Sequence, residues 1–266
     1  MAYTPPTPYE RVLAKYYWAQ KRVDEFDVAA EIFRKSNPHS FGKHHDLEAG
    51  HFVYYAKTVG VIPNHLPLML GDAIHNLRST LDHLARALVI ASCGTPHNHT
   101  SFPICDTAEA YPGFSRSKLP GLGKMCYEVL DRVQPYKGGW GHNLWQLHHL
   151  DIVDKHRLLL AIASVPAVRS LAPGEAAFIA GRSQPVASMA NYLGAIMTGT
   201  NPQIVKLEAG HEFARFPALE EYENVGFAFD ISINDTDITE GMPVFLMLRH
   251  FTSEVGNVID RFAPYL

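Results

Sequence analysis

The sequence predicts an α+β fold, mainly a helical bundle of four to five helices carrying a small antiparallel sheet. Three observations lead there. Apolar residues recur at helical spacing in several long stretches; β-branched and aromatic runs between turn residues gather at about 48–61 and 172–240; and 266 residues, 47% of them hydrophobic, suffice for a substantial core. The expectation is a single domain, 1–266, with the bundle drawn from about 9–35, 66–163 and 243–262 and the sheet accessory to it.

In order along the chain, Val12, Tyr16, Val23, Phe26, Ala30 and Phe33 place one apolar face on a helix over 9–35, and "SNPHSFG" stops it. "HFVYYAKTVGV" (51–61) reads as a strand, and "IPNHLP" separates it from a second helix over about 66–92. Residues 93–120, with Gly, Pro and Ser at intervals, read as an ordered loop. Helices follow at about 121–134 and 143–163, with "PYKGGWGHN" between them. "EAAFIAG", "PQIVKLEAG", "EFARF" and "VGFAFDISIND" read as short strands. A last helix, 243–262, puts Val244, Leu248, Phe251, Val255, Val258 and Phe262 on one face.

With 19% charged residues and a formal charge of −4, the chain advertises no general affinity for nucleic acid; such a contact requires a local basic patch. Cys93, Cys105 and Cys126 show no C-x-x-C spacing, so neither a disulfide framework nor a thiolate zinc site is expected, and Cys126 reads as a core residue. The start "MAYTPPTPYERV" lacks the pattern of a signal peptide, and no apolar run approaches a membrane span, so a cytoplasmic protein with no membrane partner is expected. No GxSxG, P-loop or GxGxxG occurs, and "PGLGK" (120–124) reads as a turn.

The unusual count is histidine, at fifteen. On the 66–92 helix, Leu70, Ile74, Leu77, Leu81, Leu84 and Leu88 form the apolar stripe. His75, Ser79, Asp82 and Arg86 fall opposite, with Asp72 beside them and Arg78 and His83 at the margins. Exposed helix faces favour Lys and Glu; a face of His, Asp, Asn and Arg suggests a lined cleft. "NLWQLHHLDIVDKHRLLLAI" (143–162) is apolar nearly all round while carrying His148, His149, Asp151, Asp154, Lys155, His156 and Arg157. Its polar groups need partners if buried. Asp151 and Lys155 can pair locally at i, i+4, and the rest are expected to meet the 72–86 face, with His75 and His156 sharing one polar pocket between packed helices.

"GDAIHNLRSTLDHLARAL" with the later "LDIVDKHRLL" resembles a bacterial protein group of uncharacterised function that carries a G-D-x-x-H-N-L-R-S-x-L-D-H-L helix and a downstream D-K-H-R helix. The similarity covers most of the chain; Ile152 and Val153 stand where that group has an Asn-Ile pair. Arg78 to His83 also fits R-x-x-x-x-H and in this resembles the HEPN domains, helical bundles that often act as metal-independent ribonucleases and often pair through the motif face. The embedded sheet and the early position of the motif depart from that family. The resemblance implies RNA as substrate, a homodimer and no cofactor, with Arg78 and His83 as the reacting pair, aided by His75, Asp82 and His156, and with Asn76, Lys155 and Arg157 gripping the RNA. Histidine can move the proton near neutrality and arginine can hold phosphate oxygens.

Two alternatives stand beside this favoured reading. One is a metal-dependent hydrolase or oxygenase with zinc, iron or manganese on Asp72, His75, His149, Asp154 and His156. The other is a non-catalytic structural or interaction protein whose His and Asp side chains form a buried network. "LEAGH" also occurs twice, at 47–51 and 207–211; it reads as a pair of glycine turns in preference to a metal site from Glu48, His51, Glu208 and His211.

Overall fold

The structure, a computed structural model, describes residues 5–156, 159, 161–166, 204–219, 229–234, 236–239 and 242–266. The expected "EAAFIAG" strand lies outside the described residues. The α+β class holds: helices alternate with two small antiparallel sheets. Contacts divide the chain into two compact units, one of Met1–Asp27, Pro67–Leu159 and Phe245–Leu266, the other of Val28–Leu66 and Leu160–Val244.

The first unit is helical. α1 (Pro8–Lys35) begins there with a capping box: Thr7 N donates to Glu10 Oε2 at 2.7 Å and Glu10 N to Thr7 Oγ1 at 3.1 Å. Pro8, at the first helical position, lacks the N–H that would be unpaired there. α2 (His65–Ala91) contributes the core stripe expected of it: Leu70, Ile74, Leu77, Leu81 and Leu84 are wholly buried. Each such leucine is stabilised by about 1.5–3 kcal/mol of burial. α3 (Tyr111–Lys118), α4 (Lys124–Val133) and α5 (His142–His156) follow, then α6 (Thr236–Thr239) in the second unit and α7 (Val244–Phe262). α7 buries Leu248, Phe251, Val255, Val258 and Phe262, and Tyr16 of α1 donates to Thr252 O at 3.0 Å. Cys126 is buried on α4.

The second unit holds the sheets. β1 (His39–Asp46), β2 (His51–Val59) and β5 (Glu212–Pro217) pair in that order; β4 (Ile204–Lys206), β3 (Ala161–Pro166) and β6 (Asp230–Ile233) form the other. Both repeats of "LEAGH" are turns, with Gly50 at φ +64° and Gly210 at φ +82°. They sit at opposite ends of the β2–β5 ladder, since His51 pairs with Pro217 while Gly210 N donates to Ala56 O. That separation removes the four-ligand metal reading of the repeat.

Three boundaries differ from expectation. The 143–163 helix ends at His156, and Ala161–Pro166 is a strand, because Ala161–Ser164 find a ladder on β6 that outweighs a run of residues equally at home in a helix. "HSFGKHHD" forms β1 despite its polarity; as an edge strand it needs little apolar surface, and Lys43, His44 and His45 stay exposed. Within 93–120, Tyr111–Lys118 is helical, with Pro112 in the first turn where proline is tolerated. No described helix is long and apolar enough to cross a membrane.

Candidate functional site

α2 and α5 meet through their polar side chains, all within the helical unit. Arg78 is buried, 6% exposed, and each arm of its guanidinium is engaged. Nε donates to His148 Nδ1 at 3.1 Å, Nη1 to Asp82 Oδ1 at 2.6 Å and Nη2 to Phe102 O at 3.2 Å. Asp82 Oδ1 also accepts from Phe102 N at 2.9 Å. Arg78 thus ties α2, α5 and the 93–110 segment together. Since His148 Nδ1 accepts, its proton resides on Nε2. Burial, then the Arg78 guanidinium, presses its pKa down to about 4; His149 and Lys155 act in the same direction and Asp151 against it.

This makes stability depend on acidity. An unfolded chain protonates this histidine near pH 6.5, whereas the folded chain keeps it neutral down to about pH 4. Its contribution is therefore complete above pH 6.5 and declines as pH falls toward 4, by about 2–3 kcal/mol. His39 in the second unit, buried and also held to about 4, acts in the same window. Denaturant titrations at pH 7 and 4.5 should show a smaller loss for His148→Asn than for the wild type; equal losses would contradict this account.

One turn toward the N-terminus of α2, His75 Nδ1 donates to Asp151 Oδ1 at 2.9 Å. The imidazole is 55% exposed and the carboxylate 2%. Lys155 Nζ donates to the other oxygen, Oδ2, at 2.5 Å, the local pairing expected from its spacing. The buried carboxylate is satisfied on both oxygens, and the bond through Nδ1–H leaves Nε2 of the half-exposed neutral imidazole as its nitrogen without a proton. Asn76 donates to Asp72 O at 2.7 Å and accepts from Lys15 Nζ at 2.6 Å, which brings α1 to the edge of the site.

Asp154 of α5 packs against α2 at Gly71. A Cβ at this position would lie 2.4 Å from Asp154 Oδ2. Burial, then the Asp151 and Asp72 carboxylates, raises the pKa of Asp154. Gly71→Ala is expected to push α5 outward and cost about 1–3 kcal/mol despite alanine's better helix propensity. Urea unfolding checks this; a variant as stable as the wild type would mean that Asp154 swings away freely.

The remaining predicted residues lie elsewhere. His83 is exposed and bonded to neither Arg78 nor Asp82; burial, then Lys15, lowers its pKa. His149 turns to Asp106, donating from Nε2 to Oδ1 at 2.9 Å, the same oxygen that takes Trp145 Nε1–H at 2.8 Å. His156 is exposed and does not join His75, because it and His149 lie well round α5 from Asp151, by about 140–160° at 100° per residue. Arg157 lies outside the described residues. Among the described residues no group of three or more His, Cys, Asp or Glu side chains is arranged to hold a metal ion, and the set Asp72, His75, His149, Asp154 and His156 does not assemble. Sequence reasoning left out Asp151 as the partner of His75, His148 as that of Arg78, and Asp106. Asp151 had a signal, a carboxylate on the most apolar side of its helix, flanked by the buried Leu147 and Leu150.

No family model, curated protein or solved structure matches the chain.

Proposed function

We propose that the protein is a metal-independent ribonuclease whose acid–base centre is His75 held by Asp151, in place of the Arg78–His83 pair that the HEPN resemblance implies. The observation that carries the reading is that pair: an exposed imidazole bonded through Nδ1 to a carboxylate 2% exposed. Such an imidazole has Nε2 free to take the proton of a ribose 2′-hydroxyl. The 2′-oxygen then bonds to the adjacent phosphorus, the bond to the 5′-oxygen breaks, and that oxygen takes a proton from solvent, leaving a 2′,3′-cyclic phosphate. Lys155, half exposed beside the pair, meets the phosphate charge. Arg78 and Asp82, the first spent on three acceptors, act as positioning residues that hold α2 against α5. A cytoplasmic homodimer goes with this reading.

The test is cleavage of single-stranded RNA in excess chelator by wild type, His75→Ala and His83→Ala. Loss in His75→Ala with most activity kept in His83→Ala supports the reading. Equal activity in all three would make any cleavage a contaminant, and loss in His83→Ala alone would return the chemistry to the R-x-x-x-x-H histidine. A non-catalytic scaffold is the second reading, favoured by the complete engagement of Arg78; no cleavage by the wild type would support it.

A further inference from the structure

α3, α4 and the segment after α4 border an open hollow of about 250 Å³ lined by Tyr111, Ser115, Arg116, Tyr127, Asp131 and Tyr136. The His75–Asp151 pair makes no use of it. Its aromatic walls are fixed: the Tyr111 hydroxyl donates to Leu130 O at 3.2 Å, the Tyr127 hydroxyl to Leu119 O at 2.7 Å, and the rings of Tyr111 and Tyr136 stand 5.6 Å apart. Arg116 lies 5.7 Å over the Tyr127 ring and gives Nη1 to Pro112 O at 3.2 Å. Asp131 sits close enough to Tyr111 that, after burial, its charge raises the phenol's pKa. Yet no ion pair joins Arg116 to Asp131, and among the described residues the Asp131 carboxylate has no hydrogen-bond partner.

Opposite charges held apart in one aromatic-walled hollow suit a planar ligand that offers acceptors to one and donors to the other. We propose that this cavity is a nucleobase pocket that prefers guanine. Guanine's O6 and N7 accept from a guanidinium, its N1–H and N2–H donate to a carboxylate, and its ring stacks on tyrosine. Adenine would turn its N1 lone pair toward Asp131, which is repulsive. The volume lies below the usual range for ligand pockets, roughly 300–1,000 Å³, which suits a single base. The inference rests on the ribonuclease reading in naming RNA as the source of the base, and it specifies which nucleotide the substrate presents.

The test is calorimetric titration of the full chain with guanosine, adenosine, cytidine and phenylalanine. Guanosine should bind at least about tenfold more tightly than the other nucleosides, and Asp131→Asn should lose about tenfold or more of that affinity. Asp131 is exposed, so the variant should fold as the wild type does. No guanosine binding, equal binding of all three nucleosides, an unaffected Asp131→Asn, or binding of phenylalanine in its place would overturn the proposal. Guanosine binding without RNA cleavage would leave the pocket standing and overturn the ribonuclease reading; cleavage without guanosine binding would do the reverse.

Discussion

Replacing Arg78 by leucine is expected to destabilise the protein by about 3–5 kcal/mol, the cost of stripping one partner from a buried ionic network. Three acceptors lose their donor at once: His148 Nδ1, Asp82 Oδ1 and Phe102 O. A buried acceptor left unpaired costs about 1–3 kcal/mol, and the Asp82 loss is the smallest because 38% of that side chain is exposed and keeps its bond from Phe102 N. Arg78→Lys should recover little. A single ammonium cannot span acceptors arranged around a planar fork. Chemical denaturation followed by circular dichroism measures both. A leucine variant within about 1 kcal/mol of the wild type would mean that the guanidinium is free for other work, as the R-x-x-x-x-H resemblance first implied.

The second large effect concerns activity. His75→Ala should lower RNA cleavage by about 100- to 10,000-fold, the usual worth of a positioned general base. Asp151→Asn should approach the same loss with the imidazole still present. Its amide can offer an N–H where His75 Nδ1–H needs an acceptor, and the wrong tautomer would then carry the proton on Nε2. Asp151→Asn also frees Lys155, so its fold must be checked by circular dichroism alongside the rates. Cleavage unchanged by either substitution would leave the His75–Asp151 pair a structural contact.

Much of the architecture could be read from residue spacing because long amphipathic helices announce themselves. α2 and α7 bury the positions their periodicity selects, from Leu70 to Leu88 and from Val244 to Phe262. β1 could not be read this way. "HSFGKHHD" has little intrinsic strand character and becomes a strand by pairing with β2 from His39 opposite Val59 to Asp46 opposite His51. The end of α5 was obscured for a related reason: "LLLAIAS" suits a helix as well as a strand, and the β6 ladder decides.

The candidate site shows the same division. That α2 and α5 share polar contacts follows from the cost of burying so many titratable groups on α5. Which group meets which does not. Spacing along one helix says nothing of the register between two, so His75 found Asp151 where His156 was expected, and Arg78 found His148 where His83 was. Asp154 lies against the α2 backbone at Gly71, where a Cβ would meet it, and a glycine within a helix gives no sign of what approaches it.

Whether His75 and Asp151 act as one acid–base unit is decided by a double-mutant cycle on RNA cleavage in chelator, using His75→Ala, Asp151→Asn and the two together. The double variant is expected to be no slower than His75→Ala alone, since the carboxylate acts only through the imidazole. Losses that multiply would contradict it, for they would mean that the two residues contribute independently.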